Sequence, residues 1–63
     1  MSRDLDVEQL AIRVLGSEEA ADTWMARPQL GLDGRRPLDL IGTAPGTRLV
    51  TDLLLRMEAG IYT

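Results

Sequence analysis

The 63-residue chain contains no cysteine, histidine, lysine or phenylalanine, and these absences exclude several classes of site. Without cysteine there is no disulfide framework and no thiolate zinc site. Without histidine the chain lacks the commonest general base and metal ligand near neutral pH. Its acidic residues follow no calcium-loop pattern, and the chain is too short to line a pocket of typical ligand size. We therefore predict no catalytic residue, no metal and no cofactor, so that the chain by itself is not an enzyme.

Long apolar runs and a surplus of positive charge are missing as well. No apolar run approaches the ~20 residues that a membrane-spanning helix needs, and the N-terminus lacks the apolar stretch of a signal peptide. The net charge is −3, whereas a general nucleic-acid-binding protein has a basic surplus. We expect a cytoplasmic protein that neither enters a membrane nor binds nucleic acid by itself.

Apolar residues make up 44% of the chain, which is too many for a disordered tail. A domain of this size buries only about 60% of its unfolded surface. A core built from Leu, Val, Ile and one Trp is therefore of marginal stability alone. We expect a partner or self-association to add to it.

The spacing of the apolar residues predicts four helices and no strand, and hence a small all-α domain over residues 1–63. The first helix carries an apolar stripe and ends at Gly16, and Asp4 or Asp6 is placed to cap its start. Ser17 is expected to cap a short second helix, which has two glutamates in its positive first turn.

The second helix is predicted to end before a loop over residues 28–36, because the residue before a proline avoids the α region. An Asp-Gly dipeptide in this loop predicts a tight turn. Pro37 suits the first position of a third helix, where its missing N–H has no partner to lose. Thr43 is expected to cap a fourth helix that ends at Gly60.

The buried sides of these helices define the expected core. Leu38, Leu40 and Ile41 are expected to anchor the third helix, and Leu49 extends the apolar stripe of the fourth. Trp24 falls on the buried side of the second helix, and its replacement by alanine should cost ~3–5 kcal/mol if the ring is buried. The main core residues predicted in this way are Leu10, Val14, Trp24, Leu40, Val50, Leu53, Leu54 and Met57.

Two features of the sequence each allow two interpretations. Leu5 and Ile12 form a second apolar stripe on the first helix, which is covered either by a tail or loop of the same chain or by another chain. Arg35 and Arg36 either bind a carboxylate or phosphate bidentately or form a solvated pair that helps to cap neighbouring helix ends.

The end of the chain carries a further sign of an interface. Leu55 falls on the polar side of the fourth helix, and Ile61 and Tyr62 form a short apolar tail after it. Tyrosine is enriched at the residues that dominate binding energies, which favours a contact with another protein. The alternative is that the tail packs back onto the first helix.

Three motifs occur here in a specific order and spacing. They are Trp-x₃-Pro at residues 24–28, Gly-Arg-Arg-Pro-Leu-Asp-Leu at residues 34–40, and Arg-x-Glu-x-Gly-x-Tyr at residues 56–62. Together with Val-Leu-Gly-Ser-Glu-Glu-Ala at residues 14–20, they resemble the C-terminal toxin-binding domain of Xre/MbcA/ParS-type antitoxins. The resemblance covers roughly residues 7–63.

The resemblance implies that the chain neutralises a RES-domain toxin, whose chemistry acts on NAD, by covering the entrance to the toxin's active site. The reaction and its cofactor then belong to the toxin. Members of the family typically carry a helix-turn-helix DNA-binding domain before this one, whereas only residues 1–6 precede the matching region here, so operator binding is not expected of this chain. Carried onto this sequence, the toxin-binding residues are Arg56, Glu58, Gly60, Ile61, Tyr62 and the terminal carboxylate of Thr63, with Arg35 and Arg36 as weaker candidates.

Two other classes of function serve as alternatives. The second and third helices could form a degenerate helix-turn-helix, which would make the chain a DNA-binding or regulatory module. The long loop, the acidic balance and the lack of lysine count against that reading. A homo-oligomer that uses Leu5 and Ile12 would instead be a structural protein.

Overall fold

The computed structural model describes residues 3–60, with side chains from residue 7 onward. Within this span the chain forms four α-helices and no strand, which confirms the predicted all-α fold. The helices are α1 (Arg3–Leu15), α2 (Glu18–Met25), α3 (Pro37–Leu40) and α4 (Ala44–Ala59), and a 3₁₀ helix (Leu30–Leu32) lies between α2 and α3.

Local side-chain and backbone chemistry sets most helix ends where the sequence predicts them. The hydroxyl of Ser17 accepts a hydrogen bond from the N–H of Ala20 at 3.1 Å, at the start of α2. The hydroxyl of Thr43 accepts one from the N–H of Gly46 at the same distance, at the start of α4. Each bond satisfies a backbone donor that has no partner inside the helix. Pro37 opens α3 as predicted.

The start of α1 differs from the prediction. The helix begins at Arg3, so Asp4 and Asp6 lie inside it and neither occupies the capping position. The apolar stripe predicted the position of the helix correctly but not its first residue, because the first turn of a helix can form without a buried side chain. Acidic residues in that turn are still favoured by the positive end of the helix dipole.

Nine apolar residues form the buried core, and four of the five helical segments contribute to it. The largest interface among the described elements lies between α1 and α4, while α2, α3 and the 3₁₀ helix close the remaining sides. The buried apolar residues are Val7, Ala11, Ala21, Met25, Leu32, Ile41, Val50, Leu53 and Leu54.

The predicted core residues divide into two groups. Val50, Leu53 and Leu54 are buried at its centre. The other five are only partly buried and pack against the cluster: Leu10, Val14, Trp24, Leu40 and Met57. The periodicity therefore identified the inward side of each helix but not the depth of each side chain.

Two predicted core positions are wrong. Leu38 and Leu49 are each 53% exposed. The α3 helix is a single turn, so it has room for one buried side only, and Pro37 and Ile41 occupy it. Leu49 lies about 100° round the helix from Val50, which places it at the edge of the α4 stripe.

The junction between α3 and α4 brings Gly46 close to the backbone of Leu40. A Cβ atom built on Gly46 would overlap the carbonyl oxygen of Leu40, and it would lie 2.7 Å from the carbonyl carbon of the same residue. The buried hydroxyl of Thr47 lies 3.0 Å from the carbonyl oxygen of Ile41 and 2.8 Å from that of Thr43. Close approach and a buried hydrogen bond thus fix the angle between the two helices.

The predicted loop is ordered by its own hydrogen bonds. Asp33 and Gly34 both adopt left-handed backbone conformations, with φ of 58° and 78°, which confirms the tight turn. Gln29 donates from its amide side chain to the carbonyl oxygens of Trp24 at 3.0 Å and Arg27 at 3.2 Å. Leu30 at the tip is 91% exposed.

No helix among the described residues is long and apolar enough to cross a membrane.

Candidate functional site

The C-terminal end of α4 carries the main group of predicted binding residues. Gly60 closes the helix with a φ of 76°, and its N–H points back to the carbonyl oxygens of Arg56 and Met57. Glycine suits this left-handed position because it has no Cβ atom to clash there. Arg56 and Glu58 are exposed beside it. Ile61, Tyr62 and Thr63 lie outside the described residues.

Glu58 forms an ion pair that local sequence patterns do not reveal. The guanidinium of Arg13, near the end of α1, meets both carboxylate oxygens, with Nε to Oε2 at 2.8 Å and an Nη to Oε1 at 3.0 Å. The partners are 45 residues apart in the sequence. The only available signal is that each charge lies in the last turn of its helix, and that signal does not say which helix ends meet.

Leu55 lies on the exposed side of α4, as predicted, and is 45% exposed. It follows Asp52 by three residues and precedes Arg56 directly, so the outer side of the helix combines one apolar side chain with charges of both signs. Such a mixed surface is typical of the region around an interface core. The end of α4 is thus chemically suited to contact another protein.

The two arginines before α3 do not behave alike. Two of the three guanidinium nitrogens of Arg36 donate to Asp39, with Nε to Oδ2 at 2.8 Å and Nη to Oδ1 at 2.9 Å. The side-chain hydrogen bond to Asp39 and the negative charge of that residue raise the pKa of Arg36 above its usual value. Arg35 is exposed. The carboxylate that Arg36 contacts through two hydrogen bonds is therefore that of Asp39, in the first turn of α3 of the same chain.

The arginine pair and the end of α4 are separate features. No hydrogen bond or ion pair within residues 7–60 links Arg35 or Arg36 to Arg56 or Glu58. The structure therefore brings Glu58 together with Arg13, and Arg36 with Asp39, rather than gathering the predicted residues into one cluster.

Trp24 lines an open groove that sequence reasoning did not anticipate. The groove has a volume of about 860 Å³, with Leu15, Ala20 and Pro28 among its apolar lining and Arg27 at its rim. The groove is open to solvent, whereas a ligand pocket encloses most of the surface of its ligand. The expectation that the chain is too short to line such a pocket stays a prediction. Trp24 is only partly buried because it forms part of the wall of this groove.

The second apolar stripe of α1 is covered at one of its two positions. Ile12 is partly buried against the core, and it lines a small cleft together with Ala21 and Met25 of α2. Contact of this stripe with a tail or loop of the same chain and contact with a second chain both stay predictions. The side chain of Leu5 lies outside those described, and self-association through this stripe stays a prediction.

The described residues offer no arrangement that indicates catalysis. They contain no group of three or more His, Cys, Asp or Glu side chains that could hold a metal ion. No buried side-chain polar atom among them lacks a hydrogen-bond partner. The expected absence of a metal, a cofactor and an enzymatic activity stays a prediction. Binding through the end of α4 likewise stays a prediction.

Comparison with known proteins gives the family. The model for the antitoxin Xre/MbcA/ParS C-terminal toxin-binding domain matches residues 10–60. The chain belongs to this family. The match lies within the region of residues 7–63 over which the three sequence motifs resemble it. No solved structure is significantly similar to the chain.

Two curated proteins are similar to this chain. Antitoxin Xre of Yersinia enterocolitica serotype O:8 / biotype 1B (strain NCTC 13174 / 8081) is 34% identical over 64 residues, which cover 100% of this chain and 43% of that protein. The 6-hydroxy-3-succinoylpyridine 3-monooxygenase HspA of Pseudomonas putida (strain DSM 28022 / S16) is 44% identical over 45 residues, which cover 71% of this chain and 14% of that protein. The chain thus spans less than half the length of either relative.

Proposed function

We propose that this domain is an antitoxin module that binds a RES-type, NAD-consuming toxin and blocks the entrance to its active site. The observation that carries the proposal is membership of the toxin-binding domain family, with the match extending to Gly60. We expect the domain to act in the cytoplasm, where such a toxin finds NAD. Inhibition by occlusion requires no catalytic group in the inhibitor, which agrees with the lack of histidine and cysteine.

The end of α4 supplies the inhibitory element in this proposal. Gly60 ends the helix with a left-handed conformation. Ile61 and Tyr62 then supply apolar contact area and Thr63 a terminal carboxylate. A short apolar segment of this kind suits a cleft, because a cleft removes most of its surface from water.

The first experiment is co-expression with the RES-domain protein from the adjacent gene, followed by co-purification and an NAD-consumption assay. The proposal expects a stable complex whose NAD consumption is silenced. Separate elution of the two proteins, with NAD loss unabated, would refute it. The isolated RES-domain protein serves as the activity control.

The second experiment removes residues 61–63. Inhibition should weaken because the inhibitory segment is lost, while the circular dichroism spectrum and melting temperature stay unchanged because the buried core lies within α1 to α4 and the 3₁₀ helix. Replacement of Arg48, an exposed residue in the first half of α4, by alanine is the matched control and should leave inhibition intact. Equal neutralisation by the truncated chain would contradict this role of the tail.

Geometry does not favour the DNA-binding alternative. A helix-turn-helix joins two helices by a turn of ~3–4 residues and presents the second helix to the major groove. Here residues 26–36 separate α2 from α3, and α3 is a single turn. A mobility-shift assay at low salt with the promoter DNA of its own operon should therefore show no retarded band.

A further inference from the structure

The ion pair between Arg13 and Glu58 joins the last turns of α1 and α4. It is bidentate, with distances of 2.8 and 3.0 Å. A bidentate guanidinium–carboxylate contact fixes the mutual orientation of two planar groups, which a single contact does not. The side chains are 65% and 41% exposed, so the pair lies at the surface rather than in the core.

The charges at the helix ends favour a positively charged side chain at position 13. The C-terminal end of a helix carries a partial negative charge, and an acidic side chain in the last turn is unfavourable there. Glu58 is such a residue in α4, whereas Arg13 lies in the last turn of α1, where a positive charge is favoured. The Arg13 guanidinium therefore compensates the carboxylate of Glu58 and the negative end of α1, while Arg56 places a positive charge in the last turn of α4.

The same turn of α4 determines where the chain leaves the helix. Gly60 follows Glu58 by two residues, and its N–H is bonded to the carbonyl oxygens of Arg56 and Met57. A change in the tilt or winding of this turn would therefore move Arg56, Glu58 and Gly60 together. The pair with Arg13 ties this turn to α1, the element with the largest interface to α4.

We infer that Arg13 and Glu58 form a clamp that orients the last turn of α4 for toxin binding, and that Glu58 is a positioning residue rather than a toxin contact. This inference rests on the proposed function. Exposed ion pairs contribute only ~0–1 kcal/mol to stability, so the clamp acts on the direction of the helix end and not on whether the domain folds.

The test is a double-mutant cycle on the full chain, with affinity for the purified RES-domain toxin measured by titration calorimetry. Arg13→Ala and Glu58→Ala should each weaken binding about three- to fivefold, which is the most that a contact worth ~1 kcal/mol can supply. The double variant should be no weaker than either one, because both remove the same contact. The charge-swapped variant, Arg13→Glu with Glu58→Arg, should bind as tightly as the wild type. Arg48→Ala removes one exposed positive charge from α4 and should bind like the wild type.

A different pattern would overturn the inference. If Glu58 touches the toxin directly, Glu58→Ala will weaken binding far more than Arg13→Ala, and the charge swap will not restore it. Unchanged affinity in both single variants would also refute the clamp. Melting temperatures of all variants should stay within a few degrees of the wild type, which separates lost positioning from unfolding.

A second readout does not depend on the toxin. In the free chain, Arg13→Ala should lower the ¹⁵N heteronuclear NOE of the amides at residues 58–60, while the amides of residues 47–54 stay unchanged. Equal NOE values in variant and wild type would overturn the clamp even if toxin binding is confirmed. Failure of the wild-type chain to bind the toxin would instead refute the proposed function, with the NOE comparison still deciding whether the clamp exists.

Discussion

Replacement of Gly46 by alanine tests the close approach of α3 and α4, since helix propensity and packing predict opposite effects on the free energy of unfolding. Gly46 lies in the first turn of α4, and alanine in a helix is favoured over glycine by about 1 kcal/mol. The added Cβ, however, would overlap the carbonyl oxygen of Leu40 and lie 2.9 Å from the hydroxyl oxygen of Thr43. The first neighbour is backbone, which cannot rotate away as the end of a flexible side chain does.

Relief of this overlap requires α3 and α4 to separate, or the Thr43 cap to open. Overpacking of a dense site costs ~1–3 kcal/mol and occasionally more, and a backbone clash belongs at the upper end of that range. After the gain of about 1 kcal/mol from helix propensity, we expect a net loss of about 2 kcal/mol or more in the free energy of unfolding. For a domain of this size, that loss lowers the melting temperature by roughly 8–16 °C.

Urea unfolding followed by circular dichroism at 222 nm measures this loss. The matched control is Gly42→Ala, since a Cβ there meets nothing within 4 Å and its φ is not left-handed. The control should be neutral or slightly stabilised, by up to ~1 kcal/mol. A Gly46→Ala variant as stable as the wild type, or more stable, would refute the close approach of α3 and α4.

Two further predictions concern side chains in the same core. Thr47→Val keeps the shape of the side chain but leaves the buried carbonyl oxygen of Ile41 without its hydroxyl partner, so it should lower the free energy of unfolding by about 1–2 kcal/mol. The control, Thr23→Val at an exposed position, should be neutral in the same chemical denaturation assay. An equal effect of both variants would contradict the buried hydrogen bond. Trp24→Ala should lower the free energy of unfolding by about 1.5–3 kcal/mol, less than the ~3–5 kcal/mol for a fully buried aromatic ring, because one side of the ring faces the open groove. A larger loss in the same assay would indicate that the ring is buried more deeply than in the structure.

Local signals in the sequence are sufficient for the four α-helices and for most of their ends, the start of α1 being the exception. Ser17 and Thr43 cap α2 and α4 through bonds to N–H groups three residues later, and Gly60 ends α4 by its own backbone preference. These predictions succeed because both partners of each interaction lie within one helical turn. The pair of Arg36 with Asp39 is of the same local kind, and its three-residue spacing was a readable signal for it.

The candidate site is less predictable than the helices. The motif at residues 56–62 predicts binding at the end of α4, and the position of the binding surface stays a prediction. Glu58, however, was predicted as a contact residue without its partner, since Arg13 lies 45 residues earlier. Periodicity also misplaced Leu38 and Leu49, because apolar character does not reveal which neighbour stands opposite a side chain.

By itself, the sequence determined the all-α class, the order of the helices, their caps and their inward-facing sides, because each depends on residues within about one turn of one another. Only the tertiary structure decided how these elements meet. It set the close approach of Gly46 to Leu40, the meeting of the α1 and α4 ends at Arg13 and Glu58, and the groove beside Trp24. Such contacts depend on the angles and distances between whole helices, and these follow from packing the complete core at once rather than from any short stretch of residues.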